Sequence, residues 1–502
     1  LLPSVVLSSQ LCSISGRSIH DGPASILSAA EFLYQHKLPG FLLSLDFFHA
    51  YDRVSMVWLD KVLEAMGFGR IFRGWISTLH RGASASFLLH GLSPFLLILF
   101  SIRQGDPLAC LLFVLYLEPF LAKLEAVLQG LRVANIKEVE FGYMDDVQIL
   151  GDKDSDIVAA DTICRNFEAA SGAILNRNRK TTILGLGSWA GRLVWPLDWL
   201  LSSGSAQVLG FVITPVFSLS VQLSWDRILG EMERTLLMWS TRRLETLAQR
   251  VQVLEVFILS KAWYFAHSIP LPSEAAGPLP RVAPATRFRQ LVTDFLWRGR
   301  LRRLAFDECH GPRSAGGLGL SCLQTRAQSM LSKQACRHLA AGGRPALHLG
   351  YWLGASLANL LPRVTSAGLM LAGQPPRQYA GLLELLREVF DLDCVNVNSL
   401  QEAQSKLIYR EMMDTPPPPR VTRVQPDLPW DSVWPRLEVP SLDPLAVDLH
   451  FSLLHDLLPV RATLHLLRMP EAPSPDCLVC RPPAPPETSL HFFTCLLYTS
   501  PS

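Results

Sequence analysis

Charge is scarce in this chain of 502 residues: Asp, Glu, Lys and Arg make up 18% and the net charge is only +2. Whole-chain charge therefore does not announce a polyanion partner, and any surface for one must be local. Cysteine is scattered, ten residues without an even framework of spacings. That pattern argues against a disulfide-stapled scaffold and for a reducing, intracellular setting. Nucleus and cytoplasm are not distinguished, because no import signal stands out. Long unbroken apolar runs are also lacking. Ser86 to Phe100 is short for a membrane span and carries His90, Gly91 and Pro94, and Leu108 to Leu121 is broken by Glu118 and Pro119. Both read as buried core, so no membrane partner is expected. No internal repeat is visible. No basic stretch with an apolar core and cleavage site opens the chain. It begins at Leu1 inside what reads as domain sequence, so an N-terminal truncation is expected.

What is abundant is apolar sequence, 49% of the chain, enough for two or three domains with substantial cores. Phe41-Leu42-Leu43-Ser44-Leu45 is a buried-strand pattern ending at Asp46, which puts a carboxylate at a strand's end, at the sheet rim. A helix to about Met66 follows, closed by Gly67 and Gly69. Ser84 to Leu99 reads as two strands around His90-Gly91. In Arg103-Gln104-Gly105-Asp106-Pro107-Leu108, Gly105 permits a turn or close backbone approach, and Pro107 suits the first turn of a helix from Leu108 to Leu128. Phe141 to Leu150 reads as two short strands joined by a tight turn, with Asp145 and Asp146 at the tip. A helix from Asp156 to Ala170, a basic loop from Asn176 to Lys180 and a strand from Gln207 to Val212 come next. The order predicts an α+β sheet with helices on one face. From Ser224 onward the pattern is helical, with Trp225, Trp239 and Trp263 as core anchors. Proline-rich breaks stand at 270–284 and 416–419.

Two adjacent aspartates in an apolar setting repel each other and lose hydration, and bound divalent cations would offset both costs. Hard, oxygen-ligated Mg²⁺ or Mn²⁺ is the natural partner. Alone, the pair reads more readily as a polar hairpin turn than as a metal site. Asp46 as a third acid from a separate strand changes the odds, because two-metal phosphoryl transfer needs carboxylates that hold two ions close together. The spacing by itself does not separate a polymerase from a nuclease.

Taken in order, Gln10…Gly16-Arg17, Ser44-Leu45-Asp46…Ala50-Tyr51-Asp52-Arg53-Val54, Arg103 to Leu108, Tyr143-Met144-Asp145-Asp146 and Leu209-Gly210-Phe211 resemble the reverse transcriptases of LINE-type non-LTR retrotransposons. Phe295-Leu296-Trp297 and Gly316-Gly317-Leu318-Gly319 resemble the post-polymerase region of those elements. Each motif is weak alone; the ordered set is specific and spans most of the chain. The resemblance implies an RNA template, a DNA primer and deoxynucleoside triphosphates as partners, with protein partners unknown. It also implies roles. Asp46, Asp145 and Asp146 would carry two Mg²⁺ or Mn²⁺ ions, with the Phe47 carbonyl as a backbone ligand. Tyr51 would lie beneath the sugar and exclude a 2′-hydroxyl. Gln104 and Gly105 would shape the nucleotide and template pocket, and Lys180, or alternatively Arg179, would meet the triphosphate. Asp52 is assigned a structural role, pairing or capping near Arg53. Phe47-Phe48-His49 departs from the charged residues often found there, but off the metal-ligand positions. The fingers are expected to be incomplete and the upstream endonuclease missing, so nicking of genomic DNA to provide a primer is inferred from the family alone.

Arg298, Arg300, Arg302 and Arg303 follow a predicted helix end. They read either as phosphate contacts along a nucleic-acid backbone or as a solvated basic loop. Cys477 and Cys480, with His491 and Cys495, have the residue types and rough spacing of a tetrahedral zinc site. The His491–Cys495 spacing is one residue shorter than the family's. The stretch from Cys495 to Ser502 also resembles a translated sequencing adaptor, so whether Cys495 is native stays open. The expected architecture is a right-hand polymerase: partial fingers and palm over 1–215, a helical thumb over 216–300, a helical post-polymerase region over 301–430, and a C-terminal segment with the cysteine module over 431–502. The expected function is RNA-directed DNA synthesis. The alternative is a catalytically inactive nucleic-acid-binding relic or domesticated protein, and a maturase-like splicing factor fits the downstream motifs less well.

Overall fold

The computed structural model describes residues 2–82, 84–86, 88, 92, 94, 96–97, 101–103, 105–276, 282–298, 304–360, 397–413, 418–424, 426–437, 442–489 and 491. After a short helix α1 (Leu2–Val5), α2 runs Asp21–His36 and ends at Lys37 in the left-handed conformation. The first strand, β1, is Pro39–Leu45. A 3₁₀ turn at Tyr51–Arg53 leads to α3 (Met56–Ala65), capped by the Ser55 hydroxyl accepting from the Trp58 amide. Next come α4 (Arg70–His80) and the short pair β2 (Ser84–Ala85) and β3 (Leu96–Leu97), whose connecting tip at His90-Gly91 lies outside the described residues.

Helix α5 (Ala109–Val127) starts where the Asp106 carboxylate accepts from the Leu108 amide. A two-stranded ribbon, β4 (Leu131–Val133) and β5 (Ile136–Glu138), runs into the hairpin β6 (Glu140–Tyr143) and β7 (Asp146–Gly151). Helix α6 (Asp154–Ser171) is closed by Gly172 and followed by β8 (Thr182–Gly187) and β9 (Leu201–Ser202).

The main sheet has the order β6-β7-β1-β8-β9, with β1 antiparallel to both neighbours. Helices cover both faces, not one. Phe41, Leu43 and Leu45 of β1 join the core built with α3, α5 and α6, whereas Leu42 joins the core built with α2. The reason is already in β1: an unbroken apolar run, unlike an alternating one, has two faces to bury. At the hairpin, a Cβ on Gly142 would stand 2.9 Å from Leu121 Cδ1, so any larger residue there would make the Leu121 side chain give way where β6 lies against α5.

The single strand expected from Gln207 to Val212 is a tight hairpin, β10 (Ala206–Val208) and β11 (Phe211–Ile213). Its turn residues Leu209 and Gly210 both have positive φ, 48° and 90°, the geometry that two-residue hairpin turns require. Helical structure then resumes at Phe217, earlier than the Ser224 expected. Helices α7 (Phe217–Ser240), α8 (Leu247–Val253), α9 (Ser260–Ala266) and α10 (Pro284–Trp297) pack around Trp225, Phe265 and Phe288. A π-helical turn, Leu254–Leu259, joins α8 to α9. Farther on, α11 (Leu323–Ala341) and α12 (Gly343–Leu360, kinked at Gly354) return to the palm, and shorter helices follow. No helix among the described residues is long and apolar enough to cross a membrane.

Trp225 is fully buried and its indole N–H donates to the Pro270 carbonyl at 2.7 Å. Replacing it with alanine would open a cavity and orphan that carbonyl, for a cost of about 3–5 kcal/mol. A Trp225→Ala chain should show a correspondingly lower urea midpoint.

Candidate active site

The site is built by strand register. Leu45 pairs with Val147 and Tyr143 with Asp146, so continuing β1 by one residue sets Asp46 opposite Asp146, with Asp145 beside it at the tip. Met144, the other turn residue, has φ +55°, a conformation that is costly for a residue with a Cβ and tends to persist where surrounding structure over-determines it.

Each acid is held differently. Asp46 accepts from the Asn176 side-chain amide at 3.1 Å, and its carbonyl accepts from the Asn176 backbone amide at 2.8 Å. Lys180 Nζ approaches its other carboxylate oxygen at 3.6 Å. Burial raises Asp145's pKa and Asp46 raises it further, while its own backbone amide and Lys180 act the other way. Asp146 is pushed up to about 6, chiefly by burial, then by Asp145 and Asp46, with Lys180 opposing. Its residue surface is open to solvent, but the protein atoms crowded around the carboxylate still strip much of its hydration. The ligand atoms of the three acids do not all close to within 4.8 Å; among the described residues, Cys477, Cys480 and His491 form the group that does. Three carboxylates that repel one another without a cation between them should stand apart in this way.

Tyr51 stacks on Phe113 with ring centroids 4.7 Å apart, and its hydroxyl donates to Met144 Sδ at 3.0 Å. Burial, then Cys110, Cys12 and Asp145, raise the pKa of this phenol, so it stays protonated. Phe47 is buried against Phe120 and Phe167, which fixes the backbone just beyond Asp46. Gly105 has φ +89° with open space where a Cβ would be, and Gln104 lies outside the described residues. Asp52 pairs with His49 Nδ1 at 3.7 Å, while Arg53 donates to the Gly172 carbonyl.

Arg298 makes local contacts. Its guanidinium donates to the carbonyls of Trp239 and Arg242 at the end of α7 and lies over the Phe295 ring. Those contacts tie it to the end of α7. Arg300, Arg302 and Arg303 lie outside the described residues. Sequence reasoning passed over Asn176, the residue that fixes Asp46; its position at the head of the basic loop was the signal. In the same loop Arg177 is committed to Asp161 and Glu168, and Lys180 is the residue that approaches Asp46.

In the C-terminal segment Cys477, Cys480 and His491 converge, with Cys480 Sγ 3.5 Å from His491 Nε2. Burial pushes the Cys477 thiol up, but the amides of Val479 and Cys480 and the neighbouring His491 and Cys480 outweigh it and bring it down to about 7. Two sulfurs and an imidazole, one thiol favouring its thiolate, fit zinc. Cys495, the expected fourth ligand, lies outside the described residues.

A sheet with helices on both faces and three acids at one rim, followed by a helical bundle, is the right-hand palm and thumb of a nucleic-acid polymerase. Residues 4–213 match the family of reverse transcriptases (RNA-dependent DNA polymerases). It is 26% identical over 357 residues to the Transposon TX1 uncharacterized 149 kDa protein of Xenopus laevis, an alignment covering 69% of this chain and 26% of that protein. The chain thus spans about a quarter of the length of this relative. Both findings bear out the resemblance read from the motifs. The apo telomerase of Candida tropicalis is 13% identical, covering 57% of this chain and 50% of that one, with a TM-score of 0.32, too slight a likeness to argue from.

The raised Asp146 carboxyl has a signed consequence. The folded chain holds this proton up to about pH 6, whereas an unfolded aspartate loses it near 4. Between those values the native state binds more protons, so this group's contribution to stability falls as pH rises. In metal-free protein, the urea midpoint of the wild type should drop between pH 4 and 7 relative to an Asp146→Asn variant.

Proposed function

We propose that this chain is the polymerase part of a non-LTR retrotransposon protein and extends a primer 3′-hydroxyl with deoxynucleoside triphosphates on an RNA template. The observation that carries the proposal is the meeting of Asp46, Asp145 and Asp146 with Tyr51 and Lys180 at one rim of the palm. Asp46 and Asp145 would hold two divalent ions, Mg²⁺ or Mn²⁺, with Asp146 beside them and the Phe47 carbonyl as a backbone ligand. When bound, such ions lower the pKa of the attacking hydroxyl and neutralise the leaving pyrophosphate.

The remaining roles belong to the chain's own groups. Asn176 orients the Asp46 carboxylate. Lys180, exposed and drawn only loosely to Asp46, swings to the triphosphate when a nucleotide arrives. The Tyr51 ring, clamped between Phe113 and Met144, forms a rigid floor under the sugar and leaves no room for a 2′-hydroxyl. Gln104 and Gly105 line the nucleotide and template pocket. The α7–α10 bundle serves as thumb over 216–300, and Arg300, Arg302 and Arg303 after it contact the nucleic-acid backbone. The C-terminal module of Cys477, Cys480 and His491, with Cys495, holds zinc. The same reading places the protein inside the cell, where its template and target are found.

Primer extension on poly(rA)/oligo(dT) with Mg²⁺ tests the central claim. Wild-type chain should extend and an Asp145→Ala, Asp146→Ala chain should fall to background. Extension surviving in the double variant would sink the assignment. Tyr51→Ala should retain deoxynucleotide addition while the preference over ribonucleotides narrows by about tenfold or more.

Zinc is checked separately by elemental analysis of the purified chain. Wild type should carry zinc that Cys480→Ser lacks, and equal metal content in both would remove the module from the proposal.

A further inference from the structure

Outside the catalytic rim, a large buried polar assembly of the described chain lies where α11 and α12 return to the palm. His348 of α12 bridges two palm elements: Nδ1 is 2.9 Å from Ser28 Oγ of α2, and Nε2 is 2.9 Å from Glu138 Oε1 of β5. Trp352 Nε1 donates to the same Ser28 hydroxyl at 2.7 Å. One turn earlier, Arg344 donates to Glu125 at 2.9 Å, to Glu138 at 3.4 Å and to the Glu140 carbonyl at 3.3 Å. A second cluster sits on α11, where His338, Gln334 and Arg337 all reach Asp21 at the start of α2.

The row Ser28–His348–Glu138 has the connectivity of a hydrolytic triad. Its members are 0%, 1% and 0% exposed, and the serine hydroxyl already accepts from Trp352, so no substrate reaches it. Its position suggests another role. Glu138 ends β5 and Glu140 begins β6, the strand that leads directly to Asp145 and pairs across the hairpin with Ile149 at its base. About 17 Å of ribbon separates that base from the catalytic tip. Burial pushes the Glu140 carboxyl up to about 8, with Arg344 opposing. The base of the hairpin therefore gathers three glutamates, and the cation that meets the carboxylates of Glu125 and Glu138 and the main chain of Glu140 comes from a helix some 200 residues downstream.

We propose that Arg344 and His348 are positioning residues of the polymerase: from α12 they clamp the base of the β6–β7 hairpin and so fix where its tip presents Asp145 and Asp146. A carboxylate such as Glu138, sealed from water, must keep its partners or move toward solvent. Movement of β5–β6 tilts a two-stranded ribbon whose tip carries the metal ligands, and displacement of about 1 Å at a reacting centre costs about 10²-fold in rate. Asp21 and its α11 partners dock the preceding helix on α2, and among the described residues none of their hydrogen bonds reaches the hairpin, which makes them the control.

The inference rests on the polymerase reading, so its test has one readout that does not need activity. In the full chain, hydrogen exchange of the β6–β7 amides is compared among wild type, Arg344→Met, His348→Gln and Asp21→Asn. The first two substitutions should speed exchange at residues 140–149 by about tenfold while β1 and α2 stay protected; Asp21→Asn should leave the hairpin protected. In primer extension, Arg344→Met should lower kcat about 10- to 100-fold with the nucleotide KM unchanged within about twofold. Adding Glu138→Gln, which removes the stranded charge, should restore most of that loss. If Arg344→Met does not fold, Arg344→Lys, which keeps the charge without the fork, serves in its place. Unchanged hairpin exchange, uniform loosening of the palm, or an equal effect of Asp21→Asn would each overturn the clamp. A wild-type chain that fails to extend would count against the polymerase reading, and hairpin exchange alone would then decide the clamp.

Discussion

Repulsion among three carboxylates at one sheet rim is the constraint around which the palm is arranged. The β1–β7 register brings Asp46 across from Asp146, and the hairpin turn sets Asp145 next to both. Nothing local favours this. Asp145 and Asp146 lose hydration, have their pKa raised by burial and by the neighbouring acids, and sit beside a methionine in a left-handed conformation. The arrangement survives because everything behind it is over-determined: β1 is buried on both faces, Gly142 lets the hairpin lie against α5, and Asn176 and Lys180 engage Asp46 from a third segment. Strain concentrated at a site and supported from around it is what a preorganised catalytic centre requires.

The same logic explains the aromatic floor. Tyr51 could rotate freely at the end of a loop, but its ring lies nearly parallel to Phe113 and its hydroxyl is tied to Met144. Met144 therefore serves twice, forming the turn that presents Asp145 and holding the Tyr51 ring. The hairpin tip and that ring are thereby coupled through one side chain, and a shift of the hairpin would disturb both.

Much of this was legible in the sequence wherever chemistry and local pattern coincide. A strand of apolar residues ending in Asp46, a tight turn carrying Asp145 and Asp146, and Pro107 ahead of a long apolar helix each announce themselves within a few residues. Where the outcome depended on tertiary partners the reading slipped. Leu209-Gly210 looked like the middle of a strand, because a leucine seldom takes a positive φ; here Tyr264 donates to the Leu209 carbonyl and Arg227 to that of Gly210, which holds the turn. Arg298 looked like part of a basic tract, and its two terminal nitrogens donate to carbonyls at the end of α7. Helices on one face was an inference from element order, and order alone does not say which side of β1 each helix takes.

The docking of α11 and α12 was beyond local reading altogether. Arg344 and His348 occur singly in an apolar stretch, and their acidic partners stand in a short ribbon 206 and 210 residues away. Only the fold makes them a set. The family match ends at residue 213, but Glu138, with no exposure of its own, is satisfied by residues well past that limit. A buried ionic seam is a poor source of stability compared with an apolar contact of the same size, and it is strongly destabilising when half complete. It does, however, accept one geometry and penalise its neighbours, because each unmet donor or acceptor is costly. A helix that needs to sit in one place against the β6–β7 hairpin gains more from that selectivity than from additional apolar area, which would tolerate sliding. The polar seam is thus best understood as a device for register between the helical region and the palm.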